Sequence, residues 1–222
     1  IGKLIASETD IPSDSTIGFD ETSSVNVREV VQIGKYSVLH HIDSGGQGDV
    51  FLARHPTLRK NVVIKLSRKI VANESTNRDR LVEEGQLLAK LNHRNLVRVI
   101  DLDFHEQRPF LVMDHLEGPN LREFSQETPL APSVAVQWVI DLCYAVSEAH
   151  SHSIIHRDIN PANIVIVDGI PTLIDFGLAV STDEDLTSPE SGIAGTISYM
   201  SPEQTYSDQS KVGPTTDIFG LA

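Results

Sequence analysis

Two short motifs constrain this chain more than any other feature. His156-Arg157-Asp158 is followed at fixed offsets by Pro161 and Asn163, and Asp175-Phe176-Gly177 comes next along the chain. A five-residue match of the first kind arises by chance roughly once in three million positions, and the second motif follows it in order. Any one of these residues alone says little, because a lone Asp in a loop is usually a turn or cap residue. The rest of the composition is ordinary for a globular protein, with 40% hydrophobic and 22% charged residues. A formal net charge of -13 argues against nucleic acid or an anionic membrane as the main partner, since both need a basic face. The single cysteine, Cys143, excludes an intrachain disulfide and reads as a small buried hydrophobe. The nine histidines show no zinc-ligand spacing. No apolar run is long enough to span a bilayer. The first residue, Ile1, and the apolar finish DIFGLA read as cut points in a longer protein.

Along the chain, residues 1–33 are rich in Ser, Thr and Asp without periodicity, and are expected to be a disordered linker or tail. From Tyr36 the texture changes. YSVLHHI and DVFLARH alternate around GGQG, VVIKL (62–66) is β-branched, and LVRVIDLDF and FLVMDHL follow, so all read as strands. Between them RDRLVEEGQLLAKL (78–91) puts Leu81, Leu87, Leu88 and Leu91 at helical spacing. Pro132 opens a long helix with Val139, Leu142, Val146 and Ala149 on one face. Short strands and loops are expected around IIHRDI, NIVIV and TLIDFG. The expected fold is therefore α+β in two lobes. A β-rich part with one main helix covers 34–117, a mostly helical and incomplete part covers 118–222, and a ligand cleft lies between them.

The two motifs resemble the catalytic loop and the metal motif of the protein kinase family. The resemblance extends over residues 34–222. It implies that Asp158 accepts or orients the proton of a substrate hydroxyl, while Asn163 and Asp175 offer the hard oxygens that magnesium takes. It implies ATP and Mg2+ as cofactors, with Mn2+ able to replace the magnesium. Lys65 in VVIK matches the strand lysine on the α- and β-phosphates, and Glu84 its ion-pair partner. Ile42, Asp43, Ser44, Gly45, Gly46, Gln47, Gly48, Asp49 and Val50 match the Gly-rich loop, whose glycine amides approach phosphate oxygens because no Cβ intervenes. Asp43 stands where the first glycine usually lies, and is expected either to hydrogen-bond the loop or the ribose, or to stiffen the turn. Val63, where alanine is usual, roofs the adenine. Met113 matches the gatekeeper residue, and the backbone of Asp114 and Leu116 the hinge.

The stretch from Asp175 to Glu203 corresponds to the activation loop, with Thr182, Thr187, Ser188, Ser191 and Thr196 among its hydroxyls. Arg157 corresponds to the arginine that pairs with a phosphate there. GTISYMSPEQ and Pro161 look like Ser/Thr kinases, and HPTLRKNVVIKL and SYMSPEQ most like bacterial kinases of the eukaryotic type. Asn160 departs from the pattern, because a lysine usually donates positive charge there to the γ-phosphate. Loss of one such donor costs about 2–4 kcal/mol of transition-state stabilisation. Asp217-Ile218-Phe219-Gly220 resembles the start of the helix that anchors the catalytic loop. The expected function is ATP-dependent phosphorylation of Ser/Thr in protein substrates, in the cytoplasm or on the cytoplasmic side of a membrane-anchored protein. The alternative is a pseudokinase that binds nucleotide or a partner. Asp43 and Asn160 favour that alternative, whereas Lys65, Asp158 and Asp175 oppose it.

Overall fold

Strand-forming residues dominate the first part of the chain, and they build one six-stranded antiparallel sheet in the order β1-β2-β3-β4-β6-β5. The computed structural model describes residues 31–45, 48–68, 70–71, 75–176, 197–205 and 211–222, all within the unit Val31–Ala222. The strands are β1 (Gln32–Ile33), β2 (Tyr36–Gly45), β3 (Gly48–Arg54), β4 (Asn61–Ser67), β5 (Val99–His105) and β6 (Arg108–Asp114), with helix α1 (Ser75–Leu88) between β4 and β5. β1 falls inside the stretch expected to be tail, and the reason is local: Ile33 is buried and pairs with Tyr36. α1 stops at Leu88, before the end of the expected 78–91 helix, although Leu81, Leu88 and Leu91 are all buried.

Alternation along β4 sets up the cleft. Val62, Ile64 and Leu66 belong to an upper core with Tyr36, Ala53, Phe110 and Val112. Val63 and Lys65 point to the other face, as a two-residue period requires. Tyr36 is fully buried, and its hydroxyl donates to Asp101 Oδ2 at 2.8 Å, as does Lys35 Nζ at 2.8 Å. Burial and the bond to Asp101 push the Tyr36 phenol up to about 12. Burial also pushes the Asp101 carboxyl up, but the Lys35 and Tyr36 hydrogen bonds outweigh it and hold the group below its ordinary value. A depressed carboxyl contributes stability above its unfolded value and loses it as pH falls through the folded one. The Asp101→Asn variant is therefore expected to be less stable than wild type near neutral pH, with the gap closing below the ordinary carboxylate range. Urea midpoints across that range check it.

The second part holds α2 (Leu121–Glu127), α3 (Pro132–Ser151), a 3-10 turn (Pro161–Asn163), the hairpin β7 (Ile164–Val167) and β8 (Ile170–Leu173), a 3-10 turn (Ile197–Tyr199), α4 (Pro202–Thr205) and α5 (Pro214–Leu221). IIHRDI is irregular rather than a strand, because its backbone is held by side chains and not by a ladder. Trp138, Leu142, Ala145, Val146 and Ala149 are the buried face of α3. Val139 is 44% exposed and Cys143 is exposed, which corrects both expectations. They lie on a second apolar stripe with Val136, Ile140 and Tyr144, which the described residues leave open. Helical spacing alone does not say which of two apolar faces is covered.

The lobes meet near Gly118. A Cβ there would sit 2.1 Å from the Ile166 carbonyl oxygen, and the Ile166 amide in turn donates to Pro119 O at 2.9 Å. Gly118→Ala is expected to cost about 1–3 kcal/mol, the usual scale of overpacking. A lower urea midpoint at unchanged slope checks it.

Candidate active site

Lys65 sits on the central strand β4, opposite Val50 on β3 and Leu111 on β6. It is buried, and its Nζ makes an ion pair with Asp175 Oδ1. Met113 is buried and directly faces Val63 across the β4–β6 ladder, so the expected gatekeeper and adenine roof are neighbours. The Asp114 amide donates to Arg98 O at 3.0 Å, and its side chain pairs with Lys60 Nζ at 2.5 Å. The hinge N–H of Asp114 is thus already engaged. Leu116 is half-buried against the core between the lobes, and Glu84 is half-buried on α1.

The Gly-rich turn is fastened at both flanks. Asp43 Oδ1 accepts from the Ser44 amide at 2.8 Å, so this side chain bonds the loop itself. Ser44 Oγ donates to Asp49 Oδ1 at 2.9 Å, and Arg68 and Arg108 reach the same carboxylate. Burial pushes the Asp49 carboxyl up, but Arg68, Ser44 and Arg108 together hold it below its ordinary value. A Cβ on Gly48 would lie 2.5 Å from Leu66 O, so close strand approach requires glycine there. Ile42 is 48% exposed on the rim. Gly46 and Gln47 lie outside the described residues, as do Gly177, Thr187, Ser188, Ser191 and Thr196.

The catalytic loop is a web of side-chain bonds around Asp158. Asn160 Nδ2 donates to Asp158 Oδ1 at 2.9 Å, and Asn163 Nδ2 donates to Asp158 Oδ2 at 2.9 Å. Asn163 Nδ2 also reaches the Asp158 carbonyl at 2.8 Å. His156 is buried, and its Nε2 lies 2.8 Å from Ile174 O while its Nδ1 receives the Asp158 amide at 3.3 Å. That pattern puts the ring proton on Nε2. The His156 ring packs on the buried Phe176 with centroids 4.7 Å apart, which ties the two motifs together. Arg157 and Asp175 both adopt φ near +70°, a conformation that non-glycine residues hold only where surroundings impose it.

Asp217 at the start of α5 supplies that imposition for Arg157. It is 1% exposed and accepts from the His156 amide at 2.9 Å, the Arg157 amide at 2.8 Å and His150 Nε2 at 2.7 Å. Three further contacts went unread in the sequence. Gln204 Nε2 donates to the Arg157 carbonyl at 2.5 Å. Thr216 Oγ1 donates to Glu203 Oε1 at 2.8 Å. Asn95 Nδ2 donates to Pro171 O at 2.6 Å, holding the loop after α1 against the β7–β8 hairpin. None of these has a signal in local sequence, because each joins residues far apart in the chain. Tyr199, Met200 and Gln204 line one depression with Arg157 and Asp158, so the end of the expected activation loop flanks the expected base.

Known proteins resemble this chain over most of its length. The family model described as "Protein kinase domain" matches residues 36–222. A probable serine/threonine-protein kinase PkwA of Thermomonospora curvata is 34% identical over 191 residues, covering 86% of this chain and 25% of the relative. Serine/threonine-protein kinase PrkC of Bacillus subtilis is 34% identical over 173 residues, covering 77% of this chain and 27% of the relative. Serine/threonine-protein kinase PknB of Mycobacterium leprae is 32% identical over 194 residues, covering 84% and 31% respectively. The chain therefore spans between 25% and 31% of the length of these relatives. Among solved structures, the PknI kinase domain of Mycobacterium tuberculosis superposes with a TM-score of 0.66 at 25% identity, over 86% of this chain and 72% of that one. A β-rich lobe, a hinge and a loop that gathers His156, Asp158, Asn163 and Asp175 are the parts such a fold is built from, and the chain belongs to the protein kinase family, with bacterial serine/threonine kinases as its relatives.

Proposed function

We propose that this chain transfers the γ-phosphoryl group of ATP to serine or threonine hydroxyls of protein substrates. One observation carries the reading: Lys65 pairs with Asp175, Asn163 hydrogen-bonds Asp158, and the amide of Ile174, next to Asp175, donates to Asn163 O at 2.8 Å, which supports a single site for phosphate, metal and base. Asp158 accepts or orients the substrate proton. Lys65 holds the α- and β-phosphates, and Glu84 on α1 serves as its ion-pair partner. The donor set suits a hard divalent ion, Mg2+ or Mn2+. Asn163 uses Nδ2 on Asp158 and keeps Oδ1 for the ion, and Asp175 brings a carboxylate from the other side. Such an ion neutralises charge that develops on the transferring phosphoryl group. Val63 and Met113 bound the adenine, Leu116 and the Asp114 carbonyl meet its edge, and the Gly45–Gly48 turn covers the phosphates.

Phosphorylation of Thr187, Ser188 or Ser191 orders the activation loop through Arg157. The kinase domain spans 34–222, with lobes at 34–117 and 118–222. No helix among the described residues is long and apolar enough to cross a membrane. A cytoplasmic location, alone or as the inner part of an anchored protein, fits a use of ATP. The reading is tested by phosphate transfer from labelled ATP to a generic basic protein, comparing the full-length protein with Asp158→Ala. Equal background in both overturns it.

A further inference from the structure

Asn160 has no polar atom to spare for a phosphate. It is 3% exposed and adopts an extended backbone, with φ -155° and ψ 163°, as N-cap of the 3-10 turn. Its Oδ1 accepts from the Ala162 amide at 2.9 Å. Its Nδ2 donates to Asp158 Oδ1 at 2.9 Å and approaches the Asp158 carbonyl at 3.3 Å. A carboxamide nitrogen carries two hydrogens, and both face Asp158. The orientation is fixed by chemistry. Exchanging oxygen and nitrogen would set the amide oxygen against a carboxylate and the NH2 group against a backbone N–H. With Asn163 on the other oxygen, the Asp158 carboxylate is gripped once on each side.

We propose that Asn160 is a positioning residue for Asp158, fixing the carboxylate through Nδ2 and the following turn through Oδ1, and is not a ligand of the transferring phosphate. This rests on the phosphotransfer reading of the site. A lysine at the same position has three donors and no acceptor, so it leaves the Ala162 amide uncapped and puts a flexible ammonium where a fixed carboxamide held Asp158. The trade is therefore a cap and a clamp in exchange for a cation. A chain built around the clamp does not gain by having the cation returned.

The test uses the full-length protein and three variants, with kcat and KM for ATP measured beside thermal unfolding. Asn160→Ala is expected to lower kcat by roughly ten- to a hundredfold, the scale of a misplaced catalytic group, with KM for ATP changing less than about twofold. Asn160→Ser keeps an N-cap acceptor for Ala162 but is too short to reach Asp158 and adds no charge beside it. It is expected to keep the wild-type melting temperature and still lose kcat, a split that a purely structural role does not produce. Asn160→Lys is expected to fall below wild type in kcat. A kcat above wild type in the lysine variant overturns the proposal, and so does a wild-type kcat in the serine variant.

A second readout needs no turnover. The side-chain amide hydrogens of Asn160 are expected to exchange faster when Asp158 becomes alanine, because only the longer contact to the backbone carbonyl remains, and amide resonances indifferent to that change overturn the proposal as well. If wild type and Asp158→Ala share the same background transfer, the kinase reading fails, and the amide resonances still decide the placement of Asn160.

Discussion

Asp158→Ala in the full-length protein is expected to lower kcat for phosphate transfer by roughly a hundred- to ten-thousandfold, the usual contribution of a positioned acid–base group. KM for ATP should stay close to wild type, because the proposed nucleotide contacts come from β4, the hinge and Asp175, not from Asp158. The substitution removes the acceptor of two carboxamides, Asn160 Nδ2 and Asn163 Nδ2. Both nitrogens also face the Asp158 carbonyl, at 3.3 and 2.8 Å, and that acceptor survives the change to alanine. The loop should therefore keep its shape, and the loss should appear in kcat while thermal unfolding moves little. A proportional rise in KM for ATP would place Asp158 in nucleotide binding and contradict the role given to it.

Asp217→Ala should act in the opposite order, on stability first. The carboxylate is almost fully buried and accepts from two consecutive backbone amides and one histidine. Removing it strands the His156 and Arg157 N–H groups and leaves His150 without its partner. Losing one member of a buried charged network costs about 3–5 kcal/mol. In a domain of this size each kcal/mol lowers the melting temperature by about 2–4 °C. The carboxamide of Asp217→Asn keeps one acceptor oxygen but turns an NH2 toward a backbone donor, so this variant should fall between wild type and alanine. Activity falls too, because the positive φ of Arg157, on which the direction of Asp158 depends, is held by the same carboxylate. A melting temperature within about a degree of wild type for the alanine variant would mean that the loop is held by something else.

These two residues mark what could be read from the chain itself. The motifs around Asp158 and Asp175 are local in sequence, so their chemistry was legible at once, as were the main strand and helix segments with clear periodicity. Lys65 was legible as a resemblance, in VVIK with Glu84 downstream, and the fold adds that β alternation turns it away from Val62, Ile64 and Leu66. Asp217 was legible only as a resemblance, and its three bonds were not. Cys143 and Val139 were misplaced because α3 carries apolar residues on two faces, and periodicity does not say which face meets a partner.

Asn160 shows the division most clearly. The sequence alone marked it as a missing lysine, hence a missing charge at the phosphate. Only the folded loop shows where its carboxamide points: Oδ1 to the next turn, Nδ2 to Asp158. Residue type and spacing determined which chemical groups the site holds, because those follow the chain. The direction of each group, and whether it has a hydrogen left to give, was decided by contacts between segments such as Asp217 with Arg157 and Lys65 with Asp175, which lie far apart along the chain and meet only when the lobes pack.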